Sequence, residues 1–228
     1  MRRRSRAALV ALVGAVALAL CGALAGCSSD VTAVLPLGPV PTGARVVVIG
    51  DSITIGHGLR PDLAWPELLA ARDHLRLTDL GCDGAGVLAE GDDQCSATYE
   101  ELAEQAAALH PAVVVLQASS NDLGQDDDEL DGATQQLVAA VHRLLPRARV
   151  VGLGAVWDQD PPPAQLAVIS AAMRTAVDGV GGSWLDLGQP LRGHPGWMQR
   201  DDVHPTARGQ RALLAAVTGA LDRDHLRW

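Results

Sequence analysis

The stretch Arg45-Val46-Val47-Val48-Ile49-Gly50-Asp51-Ser52 decides the fold of this chain. Its β-branched residues follow one another without a polar interruption, which is typical of a strand buried on both faces of a parallel sheet. The run stops at a glycine, and an acidic residue and a serine come next. We therefore predict a central strand over residues 45–50 that delivers Ser52 at its carboxyl end.

Alternation of strands and helices continues from this stretch to the end of the chain. Further apolar runs occupy residues 75–80, 112–117, 149–154 and, more weakly, 183–187. Between and after them, helical segments are predicted over about 60–72, 97–109, 129–145, 164–178 and 206–222. This order predicts one α/β domain over residues 45–228, with a three-layer α/β/α architecture around a parallel sheet of about five strands.

Polar residues gather where the predicted strands end. Asp51-Ser52, Asp83-Gly84, Ser120-Asn121-Asp122 and Trp157-Asp158 each follow an apolar run closely. In parallel α/β sheets, ligands bind at the carboxyl ends of the strands. We therefore expect a functional site at this edge of the sheet.

A second segment, Asp201-Asp202-Val203-His204-Pro205, supplies the partners that a nucleophilic serine needs. A serine hydroxyl is a weak nucleophile until a base removes its proton, and imidazole is suited to this near neutral pH. We predict Ser52 as the nucleophile, His204 as the general base and Asp201 as the acid that orients the imidazole. Asp202 is the alternative acid, but the three-residue spacing favours Asp201, which can turn back within one loop.

Four motifs in chain order resemble the sequence blocks of the SGNH (GDSL-type) hydrolase family. They are Gly50-Asp51-Ser52, Gly81-Cys82-Asp83-Gly84, Ser119-Ser120-Asn121-Asp122 and Asp201-Asp202-Val203-His204. The resemblance implies the flavodoxin-like fold of that family, a serine triad, and no metal or organic cofactor. It also implies an oxyanion hole built from the N–H groups of Ser52 and Gly84 and the side-chain amide of Asn121.

The reaction that this resemblance implies is hydrolysis of small acyl esters through an acyl-enzyme, with acetylated glycans or short-chain lipid esters as substrates. Two alternatives stay open. One is an envelope acyltransferase that uses the same triad, and the other is a non-catalytic envelope binding protein that retains the fold.

Three residues near the predicted site need an interpretation of their own. Ser119 departs from the family pattern, because the third block normally begins with glycine, and its side chain could crowd the substrate. Asp51 is expected to brace the nucleophile loop rather than react. His57 lies near Ser52 in the sequence but matches no family role, and we interpret it as a loop residue.

The N-terminal residues predict export. Four arginines within residues 2–6 precede an uncharged apolar run, and Leu24-Ala25-Gly26-Cys27 resembles a bacterial lipobox. We predict a lipoprotein-type signal peptide over residues 1–26 and a lipid anchor on Cys27 at the outer face of the cell membrane. A Pro- and Gly-containing tether over residues 27–44 would follow. An uncleaved membrane anchor and ordinary secretion are the alternatives.

Charge and cysteine content narrow the partners and the compartment. The chain has 18 basic and 27 acidic residues, of which four basic and no acidic residues precede position 27, so the exported part carries a formal charge of about −13. This charge argues against nucleic acid as a partner. Cys21 would leave with the signal and Cys27 would carry the lipid, so we predict that Cys82 and Cys95 form a disulfide. A metal site there is a poor alternative, because no histidine lies near either cysteine.

Overall fold

The computed structural model describes residues 43–226. The predicted signal peptide, the Cys27 lipid site and all but the last two residues of the predicted tether lie outside the described residues. Among residues 43–226, no helix combines the length and the apolar character needed to cross a bilayer.

The described part of the chain contains one five-stranded sheet, in which all neighbouring strands are parallel. The strands are β1 (Arg45–Gly50), β2 (Arg76–Gly81), β3 (Val113–Gln117), β4 (Arg149–Leu153) and β5 (Ser183–Leu185), in the spatial order β2-β1-β3-β4-β5. Each strand lies within two residues of a predicted apolar run at its start and its end. The predicted parallel sheet is therefore confirmed.

The α-helices of residues 43–226 are α1 (Ser52–Ile55), α2 (Trp65–Asp73), α3 (Tyr99–Ala108), α4 (Asp127–Leu144), α5 (Ala164–Gly179) and α6 (Ala207–Arg223). The sequence patterns did not predict the short α1. They also placed the start of α2 too early, because residues 61–63 form a separate 3-10 turn and the chain is extended at Ala64 before the helix begins.

Strand β1 shows why the deciding stretch is apolar without alternation. Val47 and Ile49 belong to a core cluster that includes residues of α3, α4 and α5, whereas Val46 and Val48 belong to a second cluster with α2 and α6. All four side chains have no exposed surface. Helices therefore cover both faces of the sheet, and the predicted three-layer architecture is confirmed.

The strand order also determines where a site can form. From β1 the chain passes to β2 on one side, and β3 then pairs with the other side of β1. In folds of this kind, the loops that leave two such strands diverge at this switch point, and ligands bind there at the carboxyl ends of the strands. Ser52 follows β1 and Asn121 follows β3, so both lie at the switch point.

Candidate active site

The turn that presents Ser52 is shaped by its immediate neighbours. Ser52 is the first residue of α1, and Asp51 caps this helix by accepting a hydrogen bond from the Ile53 N–H at 3.0 Å. A Cβ atom on Gly50 would lie 2.0 Å from the Thr54 hydroxyl oxygen, so β1 must end in glycine for the chain to turn this tightly. Ser52 is buried, with 8% of its surface still exposed.

Asp51 and Ser119 connect the nucleophile turn to the loop after β3. The Ser119 hydroxyl donates to Asp51 Oδ2 at 2.7 Å and accepts from the Asn121 N–H at 3.1 Å, and both Asp51 and Ser119 are buried. Burial raises the pKa of Asp51 above its usual value, and the Ser119 hydrogen bond opposes that rise. Our expectation that Ser119 could crowd the substrate is not met, because its side chain is fully buried and its hydroxyl points to Asp51. The serine replaces the usual glycine to hold two loops together.

The loop that carries Gly84 is closed by a disulfide. Cys82 and Cys95 are bonded, with their Cα atoms 5.8 Å apart, which confirms the predicted pairing. The Asp92 N–H donates to the Asp83 carbonyl oxygen at 2.8 Å across the same loop. Gly84 has a left-handed φ of +78°, and a Cβ atom there would meet the Asp92 nitrogen at 3.3 Å. The glycine is therefore required by the backbone conformation.

Asn121 and Asp122 bind the same loop from the β3 side. The Asn121 side-chain nitrogen donates to the Ala85 carbonyl oxygen at 2.9 Å, and a primary amide has a second N–H for another acceptor. The fully buried Asp122 carboxylate accepts hydrogen bonds from the backbone N–H groups of residues 87–89, at 2.8, 2.9 and 3.1 Å. These bonds position the Gly84 loop relative to Asn121.

Asp201 and His204 form the predicted pair. Asp201 Oδ2 lies 3.0 Å from His204 Nδ1, and Oδ1 accepts from the backbone N–H groups of Val203 and His204, each at 3.0 Å. Hydrogen bonds from the His204 backbone, the His204 ring and the Val203 backbone hold the pKa of Asp201 well below its usual range. Asp202 is exposed, in a left-handed conformation with φ +57°. The spacing argument that favoured Asp201 agrees with this geometry.

Two glutamines hold the Asp201–His204 loop against the nucleophile turn. The Gln199 backbone N–H donates to the His204 carbonyl oxygen at 2.8 Å, and its side-chain nitrogen donates to the His57 carbonyl oxygen at 2.7 Å. The buried Gln210, on α6, donates to the Ile53 carbonyl oxygen at 2.8 Å and accepts from the Trp65 N–H at 2.9 Å. Helix α6 is thereby joined directly to α1.

His57, which we interpreted as a loop residue, contacts the predicted general base. Its ring stacks on the His204 ring with the centroids 4.1 Å apart and an angle of 27° between the planes. Its Nδ1 atom lies 2.5 Å from Asp83 Oδ2, and its backbone N–H donates to the Ser52 carbonyl oxygen at 2.9 Å. Its position five residues after the candidate nucleophile was the only signal in the sequence.

The structure therefore brings the predicted residues to one edge of the sheet. Hydrogen bonds link the Ser52 turn to Asn121 through Ser119, and contacts of His57 link the same turn to His204. Gly84 lies on the disulfide loop that Asn121 binds. Within residues 43–226, no group of three or more His, Cys, Asp or Glu side chains is placed to hold a metal ion.

Comparison with known proteins gives a family and a fold. The sequence model of the GDSL-like Lipase/Acylhydrolase family matches residues 48–212. TesA superposes with a TM-score of 0.63 at 23% identity, over 78% of this chain and 98% of that chain. The psychrotrophic esterase EstA from Pseudoalteromonas sp. superposes with a TM-score of 0.62 at 15% identity, over 80% of this chain and 98% of that chain. A family two carbohydrate esterase from Clostridium thermocellum, in complex with cellohexaose, superposes with a TM-score of 0.64 at 16% identity, over 84% of this chain and 67% of that chain. No curated protein sequence gives a significant match.

Proposed function

The chain belongs to the GDSL-like lipase/acylhydrolase family and is accordingly a carboxylic ester hydrolase, and on that premise we propose that it cleaves small acyl esters through a Ser52–His204–Asp201 triad. The observation that carries the proposal is the Asp201–His204 pair, bonded at 3.0 Å on a loop that contacts the Ser52 turn. The matched family region, residues 48–212, contains all three residues.

The proposed reaction begins with attack of the Ser52 Oγ atom on the ester carbonyl carbon. With its Nδ1 proton donated to Asp201, the His204 ring presents the Nε2 lone pair, which accepts the proton of the Ser52 hydroxyl. Asp201 is suited to this role because its lowered pKa keeps it ionised while the imidazole carries a positive charge. Its two backbone hydrogen bonds hold the carboxylate in place throughout.

The negative charge that develops on the carbonyl oxygen needs fixed hydrogen-bond donors. We assign this role to the backbone N–H groups of Ser52 and Gly84 and to the side-chain N–H of Asn121 that is not bonded to Ala85. The loops that carry these donors are joined by the Ser119 hydroxyl, the disulfide and the buried Asp122 carboxylate, so the donors are positioned before substrate arrives. Removal of one such donor typically lowers kcat by about 10²–10³.

The tetrahedral intermediate then collapses. The protonated His204 gives its proton to the leaving alcohol, the bond between the carbonyl carbon and the alcohol oxygen breaks, and the acyl group remains on Ser52. Water replaces the alcohol, and its oxygen attacks the acyl carbon while His204 accepts one of its protons. In the second tetrahedral intermediate the bond between this carbon and Ser52 Oγ breaks, His204 returns the proton to Oγ, and the carboxylic acid leaves. An acceptor alcohol in place of water would give the acyltransferase reaction on the same residues.

Among ester substrates, we propose acetylated glycans or short-chain lipid esters. A carbohydrate esterase solved with cellohexaose has the same fold, which supports a glycan ester. A protein on the outer face of the membrane would meet such esters in the envelope. The Cys82–Cys95 disulfide supports export, because disulfides persist in oxidising compartments.

The test of this function is hydrolysis of p-nitrophenyl esters of increasing acyl length by the purified full-length chain and by Ser52→Ala. We expect activity on acetate and butyrate esters that the substitution abolishes, and covalent labelling of Ser52 alone by a fluorophosphonate. Added acceptor alcohols, with product analysis, separate transfer from hydrolysis. A folded protein that neither cleaves these esters nor takes the label would contradict the proposal.

The proposed anchoring has a test of its own. We expect the mature chain to begin at Cys27 and to carry labelled fatty acid after growth with radioactive palmitate, whereas Cys27→Ala should remain unlabelled. Mature protein that retains residues 1–26 would refute the lipoprotein prediction.

A further inference from the structure

The site contains a second carboxylate–imidazole pair that the proposed mechanism does not use. His57 Nδ1 lies 2.5 Å from Asp83 Oδ2, and the His57 ring lies against His204 with centroids 4.1 Å apart. The two imidazoles are therefore stacked, and each has its Nδ1 atom bound to a carboxylate. Asp83 and His57 come from different loops, so the arrangement is not a consequence of local sequence.

The stack is fixed by backbone contacts on both sides. The His57 N–H donates to the Ser52 carbonyl oxygen at 2.9 Å, and its own carbonyl oxygen accepts from the Gln199 side chain at 2.7 Å. The Gln199 backbone N–H also donates to the His204 carbonyl oxygen at 2.8 Å. Asp83 lies beside the disulfide-bonded Cys82. The position of the His57 ring is thus determined although its side chain is 41% exposed.

A ring in contact with His204 affects the two properties on which a general base depends. The first is orientation. A stacked neighbour restricts rotation of the His204 ring, whose Nδ1 atom is already held by Asp201. The second is charge. A neutral imidazole stacks favourably on the imidazolium that forms during catalysis, whereas a protonated His57 would repel it. The titratable groups in contact with His57 are the Asp83 carboxylate and the His204 ring, which in turn contacts Asp201.

We propose that His57, held by Asp83, is a positioning residue for His204 and keeps the Asp83 carboxylate paired beside the His204 ring. This inference rests on the proposed function, in which His204 is the general base. His57 acts through His204 and takes no proton from the substrate itself.

Two substitutions separate the parts of this role. His57→Ala removes both the ring and its charge, and His57→Phe keeps an aromatic ring without a titratable nitrogen. In the full-length chain we expect His57→Ala to lower kcat by about 10- to 100-fold with little change in KM, since a misplaced base loses this much. His57→Phe should restore kcat to within about threefold of the parent protein.

The pH profile provides the readout that a merely structural role would not change. In His57→Phe the Asp83 carboxylate loses its partner beside the His204 ring. An unpaired negative charge there favours the imidazolium form of His204, so the acid limb of kcat/KM should move to higher pH. The exposed His142 on α4, replaced by Phe, is the matched control and should leave the profile unchanged.

A measurement without substrate keeps the inference independent of the proposed reaction. The midpoint of the His204 ring-proton titration, followed by NMR and assigned with a His204→Gln variant, should move to higher pH in His57→Phe. If Ser52→Ala retains activity, the proposed function fails and this midpoint still decides the inference. Unchanged midpoint and pH profile in both His57 variants would overturn it. Loss of more than about 10³ in kcat in His57→Phe would also overturn it, because His57 would then transfer a proton directly.

Discussion

Replacement of Asp201 by asparagine tests the triad assignment with little change in shape. An asparagine Oδ1 atom can still accept the backbone hydrogen bonds from Val203 and His204 that Asp201 accepts at 3.0 Å. Its side-chain nitrogen would then face His204 Nδ1, where Asp201 Oδ2 now lies at 3.0 Å. Because an amide nitrogen only donates, the ring would have to carry its proton on Nε2, and it could no longer accept the proton of Ser52.

The expected loss follows from this tautomer change. In serine triads, the same substitution lowers kcat by about 10⁴, which corresponds to about 5.5 kcal/mol of transition-state stabilisation. The free energy of unfolding should change by no more than about 0.5 kcal/mol, because the side chain is partly exposed and the two backbone hydrogen bonds are retained. Asp201→Ala should show the same rate loss but also a lower melting temperature, since both backbone hydrogen bonds disappear.

The assay is kcat/KM for p-nitrophenyl acetate, measured with urea unfolding of the same samples. Asp202→Asn is the matched control: it removes an equal charge from the neighbouring exposed residue, and asparagine tolerates the left-handed φ of +57° there. We expect its activity to stay within about twofold of the parent protein. An Asp201→Asn enzyme within tenfold of the parent, or an equally damaging Asp202→Asn, would refute the assignment.

Two further predictions concern the buried Asp51 and the partly buried Asp79. Ser119→Ala should lower the free energy of unfolding by about 1.5–3 kcal/mol, because it removes the 2.7 Å hydrogen bond to the buried Asp51. Ser119→Gly should lower the free energy of unfolding further. Urea unfolding that shows no loss of stability in either variant would contradict the role of this bond. Burial raises the pKa of Asp79 to about 7 from 3.8, assisted by Glu67 and Asp51 and opposed by the Gly81 N–H. The folded chain then retains a proton that the unfolded chain releases, so its stability falls as pH rises through this window. Asp79→Asn should therefore stabilise the protein by up to about 4 kcal/mol at pH 8 and by little at pH 4; equal effects at both values would refute the burial argument.

The fold was predictable because its signals are local and repeated. A strand with both faces buried must be apolar at every position, and Val46 to Ile49 meet that requirement within one short run. Helix starts were predictable to within two residues where a side chain caps them: α4, predicted from residue 129, begins at Asp127, and Asp126 accepts from the N–H groups of residues 128 and 129. The start of α2 was not, because Ala64 before it has no side chain that can cap.

The candidate site was predictable only where the partners lie close in sequence. Asp201 and His204 are three residues apart, and one turn of the loop is enough to join them. The Ser119–Asp51 bond and the His57–Asp83 pair join residues 68 and 26 positions apart, and no periodicity relates such positions. The resemblance to a family did not help, because Ser119 departs from its pattern and His57 matches no part of it.

The contacts that the sequence could not predict are also those that make the site one unit. Ser52 follows the first strand and His204 precedes the last helix, so their relative position depends on how α6 docks. Gln210 determines this docking, since its buried amide must donate to the Ile53 carbonyl oxygen and accept from the Trp65 N–H at once. A side chain of that length with both a donor and an acceptor is needed to satisfy the two buried backbone groups, and an apolar replacement would leave both unpaired. The catalytic geometry proposed here is therefore set by the packing of α6 against α1 and α2 on one face of the sheet, and not by the two motifs alone.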